Sequence, residues 1–185
     1  MLRSVTVTAL ALTTFVCPPL RADELRDFSS RGMRGSQGVE VRLQHPASWK
    51  KVETDDPMAL VELRGPQGAL TGILQIGRGR RQRTDMEALC HPERARTMLQ
   101  NPGVQEPATR VTEVVARTTA GRPGYEVRYE RNNSPDFLLV RSAIICLKDS
   151  RLVVSCGATG ARKAALHAIE PVCAQVLDSL RVTED

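Results

Sequence analysis

Ser48-Trp49-Lys50-Lys51 places a hydroxyl and an amine at the Ser-x-x-Lys spacing, the nucleophile-and-base arrangement of penicillin-binding enzymes. That chemistry needs the serine to open a helix, so that the lysine sits one turn later on the same face. Here the segment follows Pro46 and leads into a strand-like run, and the companion Ser-Asp-Asn and Lys-Thr-Gly elements do not occur. His45, three residues earlier, is the other side chain near Ser48 that a small hydrolase or ligand-binding enzyme could use. Neither a Gly-x-Ser-x-Gly elbow nor a phosphate-cradling Gly-x-x-x-x-Gly-Lys loop is present. The chain is therefore expected to carry no catalytic machinery and no cofactor.

Metal chemistry is excluded on spacing. No Cys-x-x-Cys or paired histidine occurs, and Cys90-His91 are adjacent, whereas tetrahedral zinc draws ligands two to five positions apart. Asp55-Asp56 and Glu126/Glu130 are carboxylate pairs only formally, read as a loop and an exposed strand face. One cationic cluster stands out: Arg78, Arg80, Arg81 and Arg83 in Gly77-Arg-Gly-Arg-Arg-Gln-Arg. Guanidinium groups projecting from such a loop could grip carboxylates or phosphates of a partner, or simply keep the loop solvated. No aromatic interleaves them to stack bases, so nucleic acid is not the expected partner.

The cysteines define the compartment. Met1 to Ala22 reads as a secretory signal peptide, with Arg3 at its start, an apolar stretch from Val5 to Val16, and Leu20-Arg21-Ala22 before the cut. That apolar stretch is roughly 12 residues, too short to span a bilayer. Cys17 follows the bulky Phe15-Val16 and is read as discarded leader. Cys90, Cys146, Cys156 and Cys173 then mature where thiols oxidise, in the periplasm or outside the cell. Losing Arg3 and Arg21 brings the formal charge from +5 to +3, too mild to imply nucleic acid.

Residues 23–38, rich in Gly, Ser, Arg and Asp, are expected to form a flexible arm, and 39–185 a single domain. Val39, Val41, Leu43 and His45 alternate with polar residues, the period of a half-buried strand that His45-Pro46 ends. Further strands are expected at 49–53, 58–64, 69–78, 111–119, 125–131, 137–147 and 152–157. Leu138-Leu139-Val140 and Ala143 to Leu147 are apolar on both parities, so this strand should be central, covered on both faces. A short helix is expected at 92–100. Leu166, Ile169, Cys173, Val176, Leu177 and Leu180 mark a long one over 161–182, kinked by Pro171. The expected fold class is α+β: an antiparallel sheet of about six strands between a short middle helix and a long C-terminal helix.

Strand geometry narrows the disulfides. With Leu147 opposite Leu152, Cys146 and Cys156 point to opposite faces, so they should not bond to each other. Cys173 lies about 12 residues into the last helix, a descent of roughly 18 Å that returns it to the level of Cys146. The expected bonds are Cys146–Cys173 and Cys90–Cys156.

Val41-Arg-Leu-Gln-His-Pro46-Ala-Ser-Trp49, the hairpin through Val61–Leu63 and Gly72–Ile76, Leu152-Val-Val-Ser and the closing Asp178-Ser179-Leu180 together resemble the PsbP-like family, which is shared with Mog-type and DcrB-like proteins. The resemblance implies a PsbP-like fold and a non-catalytic module that binds another protein. The four cysteines and the arginine run depart from the usual pattern. The reading is an exported, disulfide-stabilised envelope adaptor or immunity-type protein, whose partner is an envelope component or exported toxin. The sheet edge and the Gly77–Arg83 loop are the expected contact surfaces.

Overall fold

The computed structural model describes residues 24–33, 35–80, 90–99, 108–133, 135–148 and 150–184. The signal-peptide reading of 1–22 lies outside them, as do Arg81, Arg83 and the side chain of Arg80. The strands are β1 (Leu25–Ser29), β2 (Val39–Pro46), β3 (Lys50–Val52), β4 (Ala59–Gln67), β5 (Leu70–Arg80), β6 (Thr109–Thr119), β7 (Arg122–Asn133), β8 (Asp136–Cys146), β9 (Ser150–Gly160) and β10 (Arg181–Glu184). The helices are α1 (Pro92–Leu99), α2 (Lys163–Leu166) and α3 (Glu170–Asp178), with a 3₁₀ turn at His167–Ile169 between the last two.

Two antiparallel sheets result, one of seven strands in the order β3-β4-β5-β9-β8-β7-β6 and one of three in the order β1-β2-β10. Hairpins join β4 to β5 and run β6 through β9. The β6–β7 turn places both Ala120 (φ 53°) and Gly121 (φ 74°) in the left-handed region, the twist that a two-residue hairpin loop requires. Leu139, Ala143 and Ile145 of β8 face the main core together with Leu152, Val154 and Cys156 of β9, β2, Trp49 and α3. Ile144 faces the other way, into a smaller cluster with Ala95 of α1, Val114, Tyr125 and Val127. The two-sided apolar pattern of β8 thus has cover on both faces.

The expected α+β sandwich of about six strands is corrected: the described chain is mostly β, with ten strands in two sheets and only short helices. Two causes account for this. Pro171 lacks an N–H and supports a helix only in its first turn, so the 161–182 stretch breaks at the 3₁₀ turn and restarts at Glu170. After Asp178 the apolar period drops to two, and Leu180 and Val182 carry the chain into β10. The second sheet also corrects the flexible-arm reading of 23–38. Leu25–Ser29 pairs in register with Pro46–Arg42, and Ser30, fully buried, donates and accepts bonds at Val39 and Val41.

The disulfides are Cys90–Cys146 and Cys156–Cys173, with Cα–Cα distances of 5.9 and 5.3 Å. The expected pairing of Cys146 with Cys173 and Cys90 with Cys156 is therefore wrong in its partners. Cys146 and Cys156 do point to opposite faces, since Cys146 pairs with Arg151 and Arg141 with Cys156 across β8 and β9. The error lies in the assumed continuous helical descent. Because the helix breaks and restarts, Cys173 sits in the first turns of α3, still above Cys156. Each sulfur pair staples one helix to one face of the large sheet.

Candidate functional site

The face of the large sheet that carries Cys156 is only partly covered by α2 and α3. Beyond their edge, β6, β7 and β8 present charged side chains in a row where apolar ones would be expected. Glu126 of β7 lies opposite Ala143, on the main-core side, and is 3% exposed. Its alternation with Tyr125 and Val127 predicts a solvent-facing side chain; the structure buries it under arginines.

Arg141 of β8 donates from Nε to Glu126 Oε1 and from Nη2 to Oε2 at 3.0 Å, a bidentate grip. Arg117 of β6 donates from Nη1 to Glu126 Oε2 and from Nη2 to Asp178 Oδ1 at the end of α3, each at 2.5 Å. Arg128 lies between Glu113 (3.2 Å) and Glu170 (3.8 Å), and Glu170 takes His167 Nδ1 at 2.7 Å. Desolvation pushes the Glu126 carboxyl up, but the bonds from Arg141 and Arg117 outweigh it and hold the pKa below the ordinary glutamate value. Burial lowers Arg117 and its two carboxylate bonds more than restore it. Glu126 is consequently a fixed anion whose lone pairs are used: it ties β6 and β8 to the base of α3 and has no proton to give at neutral pH.

Beside this cluster runs a cleft of about 370 Å³ between the sheet and the 167–173 segment. Its floor is Leu139, Ile169 and the Cys156–Cys173 bridge, and its rim Arg128, Arg141 and Glu170. A smaller hollow of about 160 Å³ shares Glu130, Leu139 and His167 with it and extends to Phe137, Leu166 and Lys163. Lys163 reaches Glu130 at 2.6 Å across that junction.

The residues singled out from sequence lie elsewhere. His45 is buried, its Nδ1 2.8 Å from the Pro46 carbonyl, and Ser48 is half-buried beside Trp49; neither lines these two hollows. Trp49 is 2% exposed and lies flat on β4 and β5, where a Cβ at Gly65 or Gly72 would come within 2.6 Å of its ring. That placement makes it a packing residue. Arg78, expected to project into solvent, folds back. Its Nε donates to Ser150 Oγ at 3.0 Å and its Nη1 to the carbonyls of Ser36 (2.6 Å) and Gln37 (3.2 Å). Sequence reasoning missed Glu126, Arg117 and Arg141; the signal was Arg141, a single charge inside the apolar run of β8. Among the described residues no cluster of His, Cys, Asp or Glu could hold a metal ion, and no helix is long and apolar enough to cross a membrane.

The class these features define is a two-sheet, disulfide-stapled β protein. Its architecture is similar to that of LpqN of Mycobacterium tuberculosis, a protein involved in cell envelope biogenesis. The TM-score is 0.54 at 13% identity, covering 89% of this chain and 94% of LpqN, a likeness of fold alone. A Pseudomonas aeruginosa protein of unknown function aligns over 75% of this chain and 88% of its own at 17% identity, with a TM-score of 0.47. No family model and no curated protein matches the sequence.

Proposed function

We propose that the chain is an exported, non-catalytic protein-binding module of the bacterial periplasm, an envelope adaptor or immunity-type protein, and that it takes its partner at the cleft rimmed by Arg128, Arg141 and Glu170. The observation that carries this reading is the cleft's anatomy. The arginines and carboxylates that line it are already paired with one another, so a partner that enters between them leaves no charge stranded. Two disulfides support maturation in an oxidising compartment, and a neighbour in fold that takes part in envelope biogenesis agrees with it. Kinship with PsbP-like proteins, carried by the strand–proline–tryptophan opening at Val41–Trp49, belongs to the same proposal.

The test is site-specific photo-crosslinking in the envelope of the producing cell, from Glu130 and His167 at the cleft and from Lys51 on β3 as a remote control. One discrete protein adduct from both cleft positions and none from Lys51 is the expected result. Equal, diffuse labelling from all three positions would remove the cleft from the account.

A further inference from the structure

The large sheet has two outer strands of very different character. β3 is three residues long, too short to template another chain, whereas β6 runs for eleven. Beyond β6 no described strand pairs with its outer side. At its middle stands Val115, 37% exposed, one of two large hydrophobic side chains left exposed among the described residues.

The residues around Val115 read the same in charge-complement from either end. Glu113 lies two positions before it and Arg117 two after, so all three share a face. Turn a second β6 antiparallel about Val115, and Glu113 of each copy falls opposite Arg117 of the other. Thr112 then meets Thr118, and Val114 meets Ala116. A strand displaced by two residues would set Val115 against Arg117 and lose that match.

The backbone is set for the same register. Asn132 N–H bonds the Ala108 carbonyl, so even-numbered residues of β7 turn their polar groups toward β6. Their partners across the ladder include Val115 and Arg117. Val114, Ala116 and Thr118 accordingly turn theirs outward, and Arg96 Nη2 of α1 meets the Val114 carbonyl there at 2.7 Å. In an antiparallel pair the 114–116 contacts then become the hydrogen-bonded ones. Val115 meets its counterpart at a non-hydrogen-bonded position, where Cα atoms lie about 4.5 Å apart.

We propose that two copies of this chain associate through β6, antiparallel and centred on Val115, a register in which Glu113 and Arg117, each already paired within its own copy, meet opposite rather than like charge, and in which Arg96 tempers the strength. This goes beyond the partner reading above, which concerns the cleft. A carbonyl has two lone pairs, so the Arg96 bond weakens the edge without closing it. Charge placed on an edge strand is a known restraint on runaway pairing. The dimer is of the small, concentration-dependent kind.

The experiment uses Val115→Cys in a Cys17→Ser background, so that the introduced thiol is the only one outside the two disulfides. Cysteines facing each other at about 4.5 Å satisfy disulfide geometry. Mild oxidation should give a covalent dimer, while Ala116→Cys, whose counterpart is offset along the strand, should cross-link about tenfold less. Without oxidant, sedimentation equilibrium should show the wild-type mass rising toward that of a dimer with concentration. Val115→Arg, which sets like charges opposite each other, should weaken this about tenfold, and Arg96→Ala should strengthen it. Cross-linking at position 116 equal to that at 115, or none at either with a wild-type mass constant to millimolar concentration, overturns the proposal.

Discussion

Replacing Glu126 by glutamine removes one charge from the most buried carboxylate while leaving its shape and one acceptor oxygen. The native carboxylate is 3% exposed and receives three close bonds from Arg141 and Arg117, whose side chains are 18% and 20% exposed. Breaking a buried ion pair by removing one partner costs about 3–5 kcal/mol. Water can still reach the two arginines in part, which places Glu126→Gln at the lower end, about 3 kcal/mol, with Glu126→Ala above it. The pH dependence carries a sign. The folded carboxyl titrates below its unfolded value, so its stabilising contribution is complete above about pH 5 and is lost as pH falls through the lowered pKa. Urea unfolding of wild type and Glu126→Gln at pH 7 and pH 3 measures both effects. The gap in unfolding free energy should be large at pH 7 and smaller at pH 3, because acid protonates the unfolded carboxyl before the folded one and so erodes the wild-type advantage. A gap under about 0.5 kcal/mol at pH 7, or one unchanged by acid, would show that the cluster is a solvated surface network.

The two disulfides should part under mild reductant. Cys90 and Cys146 are partly exposed, whereas Cys156 and Cys173 are 0% and 1% exposed; thiol counting by mass should find two alkylated cysteines on a still-folded chain, and four released together would contradict the burial. Cys90→Ala/Cys146→Ala opens a loop of 56 residues and should cost about 4 kcal/mol by loop entropy, read from the urea midpoint. Gly72→Ala should displace the Trp49 ring, lowering the melting temperature and red-shifting its fluorescence, at a cost of about 1–3 kcal/mol; unchanged emission would mean that the ring does not rest on that glycine. Replacing Arg80, Arg81 and Arg83 together with serine should weaken partner capture most at low salt, since such contacts are screened as ionic strength rises; capture unchanged at low salt removes the loop from the interface.

Local alternation made most of the strands legible. The runs at 39–45 and 125–131 announce themselves through period-two patterns, and the two-sided apolar character of 137–147 agrees with cover on both faces of β8. What was not legible depended on partners distant in sequence. Leu25–Ser29 has no apolar period, and it is a strand because β2 offers it an edge. The 161–182 stretch has helical spacing throughout, but the break before Pro171 and the β2 edge waiting for Arg181–Glu184 divide it. The same break moved Cys173 and exchanged the disulfide partners. Glu126 looked exposed because alternation reports which face a residue takes, not whether arginines from β6 and β8 will close over it.

Two disulfide staples each fasten one helix to its own face of the seven-stranded sheet. Peptide mapping of the unreduced protein, alkylated at harvest from the envelope fraction of its own cell, tests this most directly. The expected bridged peptides join Cys90 to Cys146 and Cys156 to Cys173 and no others. Four alkylated thiols would contradict the compartment, and Cys146 joined to Cys173 would contradict the fold.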